Sequence, residues 1–357
     1  MRILVPTHAV FIAGGIGTVA SGLIPALRNA LRPGEEIVVA SPRAGHGALV
    51  RALPDIGRGR GALARLAYEQ IAVPRMAAGC DSVHLLDARP VVASHRPFVL
   101  TVHDVSYLDE PTWYRPEAAI YKRWMLAAAL AKRPVAVLCD SRHTRERLLA
   151  HHPDAAPRAH VVHPGVSDPP ADRPPRRPDD SQPYFLTVST IEPRKNHLGL
   201  LRAFRAARAR GLHLRWKIAG TRGHRYEPIR AQLAAQEGVD LLGFVSPAEL
   251  ERLYAGALFL ALPSHTEGFG YPPLEAMARG VATICSSGSG LDDTVGDAGM
   301  RVASDDDDAW TAGLLRLQDD DGERQRLIIA GHEQVRRFDW TDVANELLNF
   351  HRTVLAA

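Results

Sequence analysis

The chain has 357 residues, which is long for one hydrophobic core and sufficient for two domains of ordinary size. Apolar residues make up 46% and charged residues 23% of the chain, a balance typical of a soluble globular protein. The net charge is +3, and we expect no nucleic-acid partner.

The sequence carries no sign of a membrane span or of secretion. No run of about 18 apolar residues occurs, so we expect no transmembrane helix. Pro6 stops the N-terminal apolar run, so we expect no signal peptide. Cys80, Cys139 and Cys285 are too far apart to indicate a disulfide framework or a zinc site. These features favour a cytoplasmic protein that needs no cofactor or metal.

Short apolar runs rich in β-branched residues alternate with longer helix-like stretches along the whole chain. This alternation predicts an α/β fold with parallel sheets covered by helices. The predicted strands are Ile3–Val5, Ile37–Ala40, Val83–Leu86, Phe98–Val102, Val135–Cys139, His160–His163, Tyr184–Val188, Trp216–Ala219, Val239–Leu242, Leu258–Leu262 and Ala282–Cys285.

A proline-rich stretch interrupts this pattern between Pro164 and Pro183, where seven prolines occur without apolar periodicity. We therefore predict an N-terminal domain over 1–168, a linker over 169–182 and a C-terminal domain over 183–340. The last segment, 341–357, predicts an amphipathic helix with Thr341 as its cap, and we expect it to pack on the N-terminal domain. Two such domains predict a cleft at the carboxyl ends of their strands.

The densest motif follows the predicted strand Leu258–Leu262 and contains two glutamates eight positions apart, Glu267 and Glu275. Two prolines between them predict a helix from about Pro272 to Arg279, with Glu275 in its first turn. Both carboxylates are then expected in one corner, as acceptors for hydroxyl groups. In the loop between them, Phe269, Gly270 and Tyr271 are expected to expose backbone N–H groups that bind sugar or phosphate oxygens. Gly268 of the same loop is also expected to contact substrate.

A second motif, Glu192-Pro-Arg194-Lys195-Asn196, follows the predicted strand Tyr184–Val188. Asn196 is a candidate N-cap for a helix that begins near Leu198. Adjacent cations at a helix N-terminus oppose the helix dipole, which a bound diphosphate would offset. The sequence therefore predicts that Arg194 and Lys195 bind phosphate.

These motifs resemble those of the retaining GT-B glycosyltransferases of the family 4 type, and the resemblance covers nearly the whole chain. Further matches are Val295-Gly-Asp-Ala-Gly299, Thr101-Val-His103-Asp104 and the Gly14–Gly17 loop. The resemblance implies two Rossmann-like domains and transfer of a hexose from a nucleotide-diphosphate sugar to a saccharide or lipid-linked acceptor. It also implies that the anomeric configuration is retained.

The resemblance assigns a role to each matching residue. It implies that Glu267 holds the donor sugar, Glu275 the ribose, and Arg194 with Lys195 the diphosphate. By the same resemblance, His103 lines the reaction centre from the acceptor-side domain and Asp104 binds substrate, and Glu267, His103, Arg194 and Lys195 are the expected catalytic residues. Gly15 and Gly17 are implied to bind substrate, with Gly15 bringing the backbone close to the phosphates or the acceptor. Phe244 and Val245 are implied to lie beside the nucleotide base.

Two positions depart from the family pattern, and the substrate stays open. Asp293 stands in Leu291–Thr294 where the family usually has Glu, and Ser189-Thr190 replaces a turn that commonly contains Gly. The segment around Trp113 resembles bacterial mannosyl- and hexosyltransferases of surface-polysaccharide assembly. GDP-mannose is thus the first expected donor, with UDP-sugars next. A nucleotide-sugar epimerase and a non-catalytic nucleotide-sugar-binding protein remain alternatives.

Two weaker patterns are not interpreted as sites. Gly15-Ile-Gly17-Thr-Val-Ala20 resembles a dinucleotide motif but does not directly follow the first strand. Asp305–Asp308 has the spacing of a metal motif, yet it is better explained as the acidic first turn of a helix.

The basic charge is concentrated in the first half of the chain. Residues 1–170 carry a net charge of +6, and residues 43–75 alone carry six arginines against two carboxylates. We therefore expect this segment to contact an anionic membrane surface or the diphosphate of a lipid-linked acceptor.

Overall fold

The computed structural model describes residues 1–6, 15–41, 50–52, 70–71, 73–88, 95–169 and 182–356. They form two compact units. The first unit comprises Met1–Pro111, Pro116–Gly165 and Phe338–Ala357, and the second comprises Thr112–Arg115 and Val166–Arg337. Residues 170–181 of the predicted linker lie outside the described part of the chain.

The first unit contains a parallel sheet with strand order β3-β2-β1-β4-β5-β6-β7. The strands are β1 (Arg2–Pro6), β2 (Glu36–Ser41), β3 (Val50–Ala52), β4 (Ser82–Leu85), β5 (Phe98–Val102), β6 (Ala136–Cys139) and β7 (Ala159–Val161). The helices are α1 (Gly15–Asn29), α2 (Val73–Ala77), α3 (Ser106–Asp109), α4 (Pro116–Ala131) and α5 (Arg142–His151). Short 3₁₀ helices span Pro111–Trp113 and Pro153–Arg158.

The second unit contains a parallel sheet with strand order β10-β9-β8-β11-β12-β13. Its strands are β8 (Tyr184–Val188), β9 (Arg215–Ala219), β10 (Val239–Gly243), β11 (Phe259–Leu262), β12 (Ala282–Ser286) and β13 (Met300–Val302). The helices are α6 (His197–Ala209), α7 (Tyr226–Ala234), α8 (Pro247–Gly256), α9 (Tyr271–Ala278), α10 (Leu291–Thr294), α11 (Asp307–Asp319) and α12 (Asp321–Val335). Two 3₁₀ turns span Pro193–Lys195 and Gly296–Ala298.

The α/β fold class with parallel sheets is confirmed. All eleven predicted strands are present, with their ends shifted by one or two residues at most. The sequence did not indicate β3 and β13, because each has three residues and is too short to show a pattern. The core of the second unit is aromatic: Phe185 stacks on Phe259 with ring centroids 5.2 Å apart and on Trp216 at 5.8 Å.

The C-terminal helix α13 (Trp340–Ala356) belongs to the first unit. Its buried His351 contacts two side chains of β4: Nδ1 lies 2.9 Å from Ser82 Oγ, and Nε2 lies 3.4 Å from His84 Nδ1. Trp340 packs over Gly22 so closely that a Cβ at that position would lie 2.2 Å from the indole. The predicted cap Thr341 is wrong: the helix begins one residue earlier, and the Asp339 carboxylate accepts the Thr341 N–H.

Candidate functional site

The second unit places a cationic turn directly after its first strand, β8. Arg194 and Lys195 form a 3₁₀ turn, and Asn196 caps α6 by accepting the Gly199 N–H at 3.2 Å. The predicted cap is therefore confirmed. Asn196 has a φ of 51°, a left-handed conformation that asparagine tolerates better than most residues, so the chain turns sharply between the cations and the helix.

Glu267 lies on the loop after β11 and is almost completely buried, with 7% of its surface exposed. Its carboxylate accepts hydrogen bonds from Lys195 Nζ at 2.6 Å, Ser264 Oγ at 2.6 Å and Arg194 Nη1 at 3.2 Å. The structure thus brings together the two sequence motifs, which are about 70 residues apart along the chain. We call Arg194, Lys195 and Glu267 the Glu267 cluster.

The charges of the Glu267 cluster are balanced within the protein. Arg194 also donates to the Glu192 carboxylate at 3.2 Å, so two cations face two carboxylates. Glu192 and Glu267 therefore already offset the two cations, so the charge of Arg194 and Lys195 does not by itself require a bound diphosphate. A ligand phosphate would share these cations with the carboxylates, because an ammonium has three N–H donors and a guanidinium has five.

Burial and neighbouring charge set the protonation of the cluster. Burial alone would raise the pKa of Glu267, but the charges of Lys195 and Arg194 and the hydrogen bonds of Lys195 and Ser264 hold it below the ordinary value. Burial, together with the like charge of Arg194, lowers the pKa of Lys195. The Glu267 carboxylate is thus kept ionised in an enclosed position.

Glu275 has a different environment from Glu267. It is the fifth residue of α9, so it lies in the second turn and not in the first turn that the sequence predicted, because the helix begins at Tyr271. Its carboxylate accepts the Tyr254 hydroxyl at 2.9 Å. Burial raises the pKa of Glu275 despite the Tyr254 hydrogen bond and the Arg279 charge.

The loop between the two glutamates is packed into the unit. Phe269 is 4% exposed and Tyr271 is 8% exposed, with their rings 5.1 Å apart, and Gly270 is also buried. The prediction of an exposed backbone at 269–271 is therefore wrong; only Gly268 is partly exposed. Gly270 has a φ of 98°, and a Cβ there would lie 2.3 Å from Leu291 Cδ2, so both conformation and packing require glycine.

The residues expected beside the nucleotide base follow β10. Phe244 is 66% exposed, a high value for a large apolar side chain. Val245 is partly buried and packs against the core cluster that contains Tyr184 and Leu260. Phe244 is therefore available to a ligand, and Val245 anchors the turn that carries it.

In the first unit, His103 follows β5 and forms an ion pair with Asp140, which follows β6. His103 Nδ1 lies 2.7 Å from the Asp140 carboxylate, and Nε2 lies 2.7 Å from the Leu86 carbonyl. Burial alone would lower the pKa of His103, but the charge and hydrogen bond of Asp140 and the Leu86 carbonyl raise it to about 9. Both ring nitrogens therefore face acceptors, as a protonated imidazole requires.

Asp104, Gly15 and Gly17 lie at the N-terminal ends of two helices of the first unit. The Asp104 carboxylate accepts the Ser106 N–H at 3.1 Å and its hydroxyl at 2.7 Å at the start of α3. Gly15 and Gly17 lie in the first turn of α1. The prediction of a loop is therefore wrong for Gly15–Gly17, which are helical. Gly14 lies outside the described residues.

Sequence reasoning gave no role to four residues that contact the predicted ones: Glu192, Ser264, Asp140 and Tyr254. Asp140 had a usable signal, since it ends a buried strand and directly precedes Ser141, the N-cap of α5. Tyr254 had none, because it lies on α8, 21 residues before Glu275.

The two departures from the family pattern lie beside well-defined local contacts. Asp292 and Asp293 lie in the short helix α10, which begins at Leu291; Asp292 accepts the Gly288 N–H at 2.9 Å and pairs with Arg301 at 3.2 Å. At the other departure, Gly220 allows the Ser189 carbonyl to approach: a Cβ at Gly220 would lie 1.8 Å from that oxygen.

The interpretation of Asp305–Asp308 as the acidic start of a helix is confirmed. Asp306 caps α11 by accepting the Ala309 N–H, and Asp307 and Asp308 form the acidic first turn. Among the described residues, no group of three or more His, Cys, Asp or Glu side chains is arranged to hold a metal. No helix in that same part of the chain is long and apolar enough to cross a membrane.

Two family models match adjoining parts of the chain. The model for glycosyl transferases group 1 matches residues 168–334, and that for glycosyltransferase family 4 matches residues 13–168. The chain is 30% identical over 270 residues to the O-antigen chain mannosyltransferase B of Escherichia coli, which covers 71% of this chain and 70% of that protein. It is 34% identical over 231 residues to a D-inositol 3-phosphate glycosyltransferase of Nocardioides sp., of which it spans about half the length.

Solved structures are similar over nearly the whole chain. Sucrose-phosphate synthase from Thermosynechococcus elongatus has a TM-score of 0.77 at 20% identity, covering 99% of both chains. Anabaena HepE in complex with UDP and glucose has a TM-score of 0.74 at 16% identity, covering 99% of this chain and all of the other. These likenesses show the GT-B fold of two Rossmann-like domains. This chain therefore belongs to the group 1 glycosyltransferases of the family 4 type.

Proposed function

We propose that this glycosyltransferase moves a hexose from a nucleotide-diphosphate sugar to a saccharide or lipid-linked acceptor with retention of the anomeric configuration. The observation that carries the proposal is the Glu267 cluster, an ionised buried carboxylate held by two cations at the carboxyl ends of β8 and β11. Ligands of open parallel sheets bind at this edge.

The cluster has donors to offer a diphosphate. The Lys195 ammonium can donate three hydrogen bonds, and within the described residues its one side-chain acceptor is Glu267. Binding of a diphosphate at Lys195 and Arg194 places two fixed positive charges beside the leaving group. Their charge stabilises the negative charge that develops as the glycosidic bond breaks.

The two glutamates divide the polar contacts of the donor. Glu267 accepts hydroxyls of the transferred sugar, and Glu275, partly exposed and hydrogen-bonded by Tyr254, accepts hydroxyls of the ribose. Phe244 and Val245 lie beside the base. In the first unit, the charged His103 and neighbouring Asp104 act toward the acceptor, and Gly15 and Gly17 at the N-terminus of α1 admit its close approach.

The donor is proposed as GDP-mannose, with UDP-sugars second. The similarity to a mannosyltransferase supports the first, and the UDP and glucose in the HepE complex support the second. We further propose a cytoplasmic enzyme with peripheral membrane contact through the basic segment 43–75. Of that segment, residues 43–49, 53–69 and 72 lie outside the described part of the chain.

A thermal-shift screen of nucleotides and nucleotide sugars tests the donor. A true donor at 100 times its Kd should stabilise the protein by roughly 2.7 kcal/mol. GDP-mannose is expected to give the largest shift, and no shift with any GDP-, UDP- or dTDP-sugar would contradict the proposal. Incubating the bound sugar without acceptor separates the alternatives: an epimerase converts it, whereas a transferase requires an acceptor and a binding protein does neither.

A further inference from the structure

One buried histidine of the second unit takes no part in the donor contacts proposed above. His197 is the first residue of α6 and is 1% exposed. Its Nε2 lies 3.1 Å from the hydroxyl oxygen of Ser189, the residue that follows β8. The other ring nitrogen, Nδ1, is buried and has no hydrogen-bond partner within the described part of the chain. The pair closes the loop that carries Arg194 and Lys195.

The surroundings of the His197 ring decide which of its nitrogens carries the proton. Burial and the charge of Lys195 lower the pKa of His197 to about 3, so the ring is neutral and has a single N–H. The unpaired Nδ1 lies at the positive end of the α6 dipole and feels the Lys195 charge. A lone pair is more stable there than an N–H group. The proton is therefore on Nε2, which donates to the Ser189 oxygen.

This hydrogen bond sets the direction of the Ser189 hydroxyl proton. Because the Ser189 oxygen accepts from His197, its own proton points away from the ring. In the described residues, His197 is the one hydrogen-bond partner of that hydroxyl. The Ser189 backbone is held in place, since its N–H donates to the Ala219 carbonyl at 3.0 Å and its carbonyl lies against Gly220. Ser189 is partly exposed, so its proton is available to a ligand.

We propose that Ser189 donates a hydrogen bond to a phosphate oxygen of the nucleotide-diphosphate sugar, and that His197 is its positioning residue. Ser189 lies at the carboxyl end of β8, at the start of the loop that carries Arg194 and Lys195. The Lys195 charge also acts on His197, so an anionic acceptor is favoured beside this pair over a neutral sugar hydroxyl. This role rests on the proposed function, because it adds one contact to the same bound nucleotide.

Calorimetry with GDP, UDP and dTDP tests the contact. Ser189→Ala removes the hydroxyl and should raise the Kd of whichever diphosphate binds by at least about tenfold, as expected for a lost hydrogen bond to a charged group. Thr311→Val is the matched control. The Thr311 hydroxyl donates to the Asp307 carbonyl of its own helix at 2.7 Å, and its loss should leave the Kd unchanged. Thermal melting shows that each variant is folded.

Two substitutions at His197 separate a positioning role from simple support of the loop. His197→Leu leaves the Ser189 hydroxyl free to rotate among three staggered positions, so the Kd should rise only about threefold. His197→Gln offers an amide N–H in place of Nε2 and should keep the Kd within about twofold of the wild-type value. If the pair only closed the loop, Ser189→Ala and His197→Leu would weaken binding equally, and that result would overturn the proposal.

Two other results would also overturn it. An unchanged Kd in Ser189→Ala would show that the hydroxyl does not touch the diphosphate, and would leave the proposed function intact. A wild-type protein that binds none of the three diphosphates would contradict the proposed function itself, and the Ser189 contact with it. Ser189→Ala decides the contact by itself if the buried His197 variants do not fold.

Discussion

The two units carry charged clusters at equivalent places, each formed where neighbouring parallel strands end. In the first unit, one histidine faces one carboxylate, His103 with Asp140, and in the second unit Arg194 and Lys195 face Glu267. Each cluster also directly precedes a helix N-cap, Ser141 in one case and Asn196 in the other. The two clusters differ in how the charge of their cations depends on pH.

This difference separates the chemistry that each cluster supports. The cations of the second unit are an arginine and a lysine, so a bound phosphate meets positive charge over a wide pH range. The cation of the first unit is a histidine, whose charge depends on Asp140 and is lost in alkali. The second cluster therefore suits a permanently charged ligand, and the first suits a group that exchanges protons.

The largest expected effect comes from Glu267. Glu267→Gln should lower kcat by about 30- to 1000-fold, which corresponds to about 2–4 kcal/mol of lost transition-state stabilisation. Gln is preferable to Ala, because Ala would leave the Lys195 and Arg194 charges enclosed beside a void and would destabilise the fold. Steady-state kinetics measure the loss. Asp109→Asn is the control, since it removes a carboxylate paired with Arg147 in the first unit and should leave kcat nearly unchanged. A fully active Glu267→Gln enzyme would remove Glu267 from the mechanism.

The second-largest expected effect is a loss of stability in a His103 variant that depends on pH. The pKa of His103 rises from its ordinary 6.5 to about 9, so the stability it contributes is complete below pH 6.5 and is lost as the pH rises through 9. A difference of this size is worth about 3 kcal/mol. His103→Gln should therefore be much less stable than the wild type near pH 6 and close to it at about pH 10. Chemical denaturation at both pH values measures the gap, and a gap that does not change with pH would mean that His103 is neutral in the folded protein.

Lys195→Ala should weaken binding of the nucleoside diphosphate product. Loss of a charge-assisted hydrogen bond costs about 1.5–3 kcal/mol, or roughly 10- to 150-fold in Kd. Calorimetry with GDP and UDP measures it. Lys217→Ala is a suitable control, because Lys217 lies over the Tyr184 ring in the same unit, 3.7 Å from its centroid. Equal affinity in wild type and Lys195→Ala would show that the turn does not contact phosphate.

The smallest effects concern the two caps. Ser141→Ala removes the acceptor for the Thr144 N–H and should cost about 1 kcal/mol of unfolding free energy. Asn196→Ala should cost about 2 kcal/mol of unfolding free energy. The cap is lost, an alanine is strained at a φ of 51°, and the hydrogen bond from the Asn196 amide to the Ser304 carbonyl is lost as well. Urea denaturation ranks them, and a larger cost at Ser141 would contradict this order.

The sequence indicated the parts of this molecule that depend on local pattern. The strands, the C-terminal helix and the Asn196 cap follow from apolar periodicity and side-chain chemistry within a few residues. The motifs placed Glu267 and Lys195 at sheet edges, but their 2.6 Å contact depends on how β8 and β11 pair. The sequence therefore indicated where the charges lie and not how they neutralise one another.

The errors at Glu275 and the 269–271 loop have a shared cause. The two prolines predicted a helix that starts at Pro272, whereas it starts at Tyr271, whose ring packs against Phe269. This packing buries the loop backbone and moves Glu275 into the second turn. Side-chain packing of this kind leaves no periodic trace in a short segment.

The central claim is that this chain transfers a sugar from a nucleotide donor with retention, and NMR of the first product tests it most directly. The enzyme is supplied with an α-linked donor that binds in the thermal-shift screen and with a matching saccharide acceptor, and the anomeric signal is recorded early. We predict that the new glycosidic bond has the α configuration. A β-linked product would contradict retention.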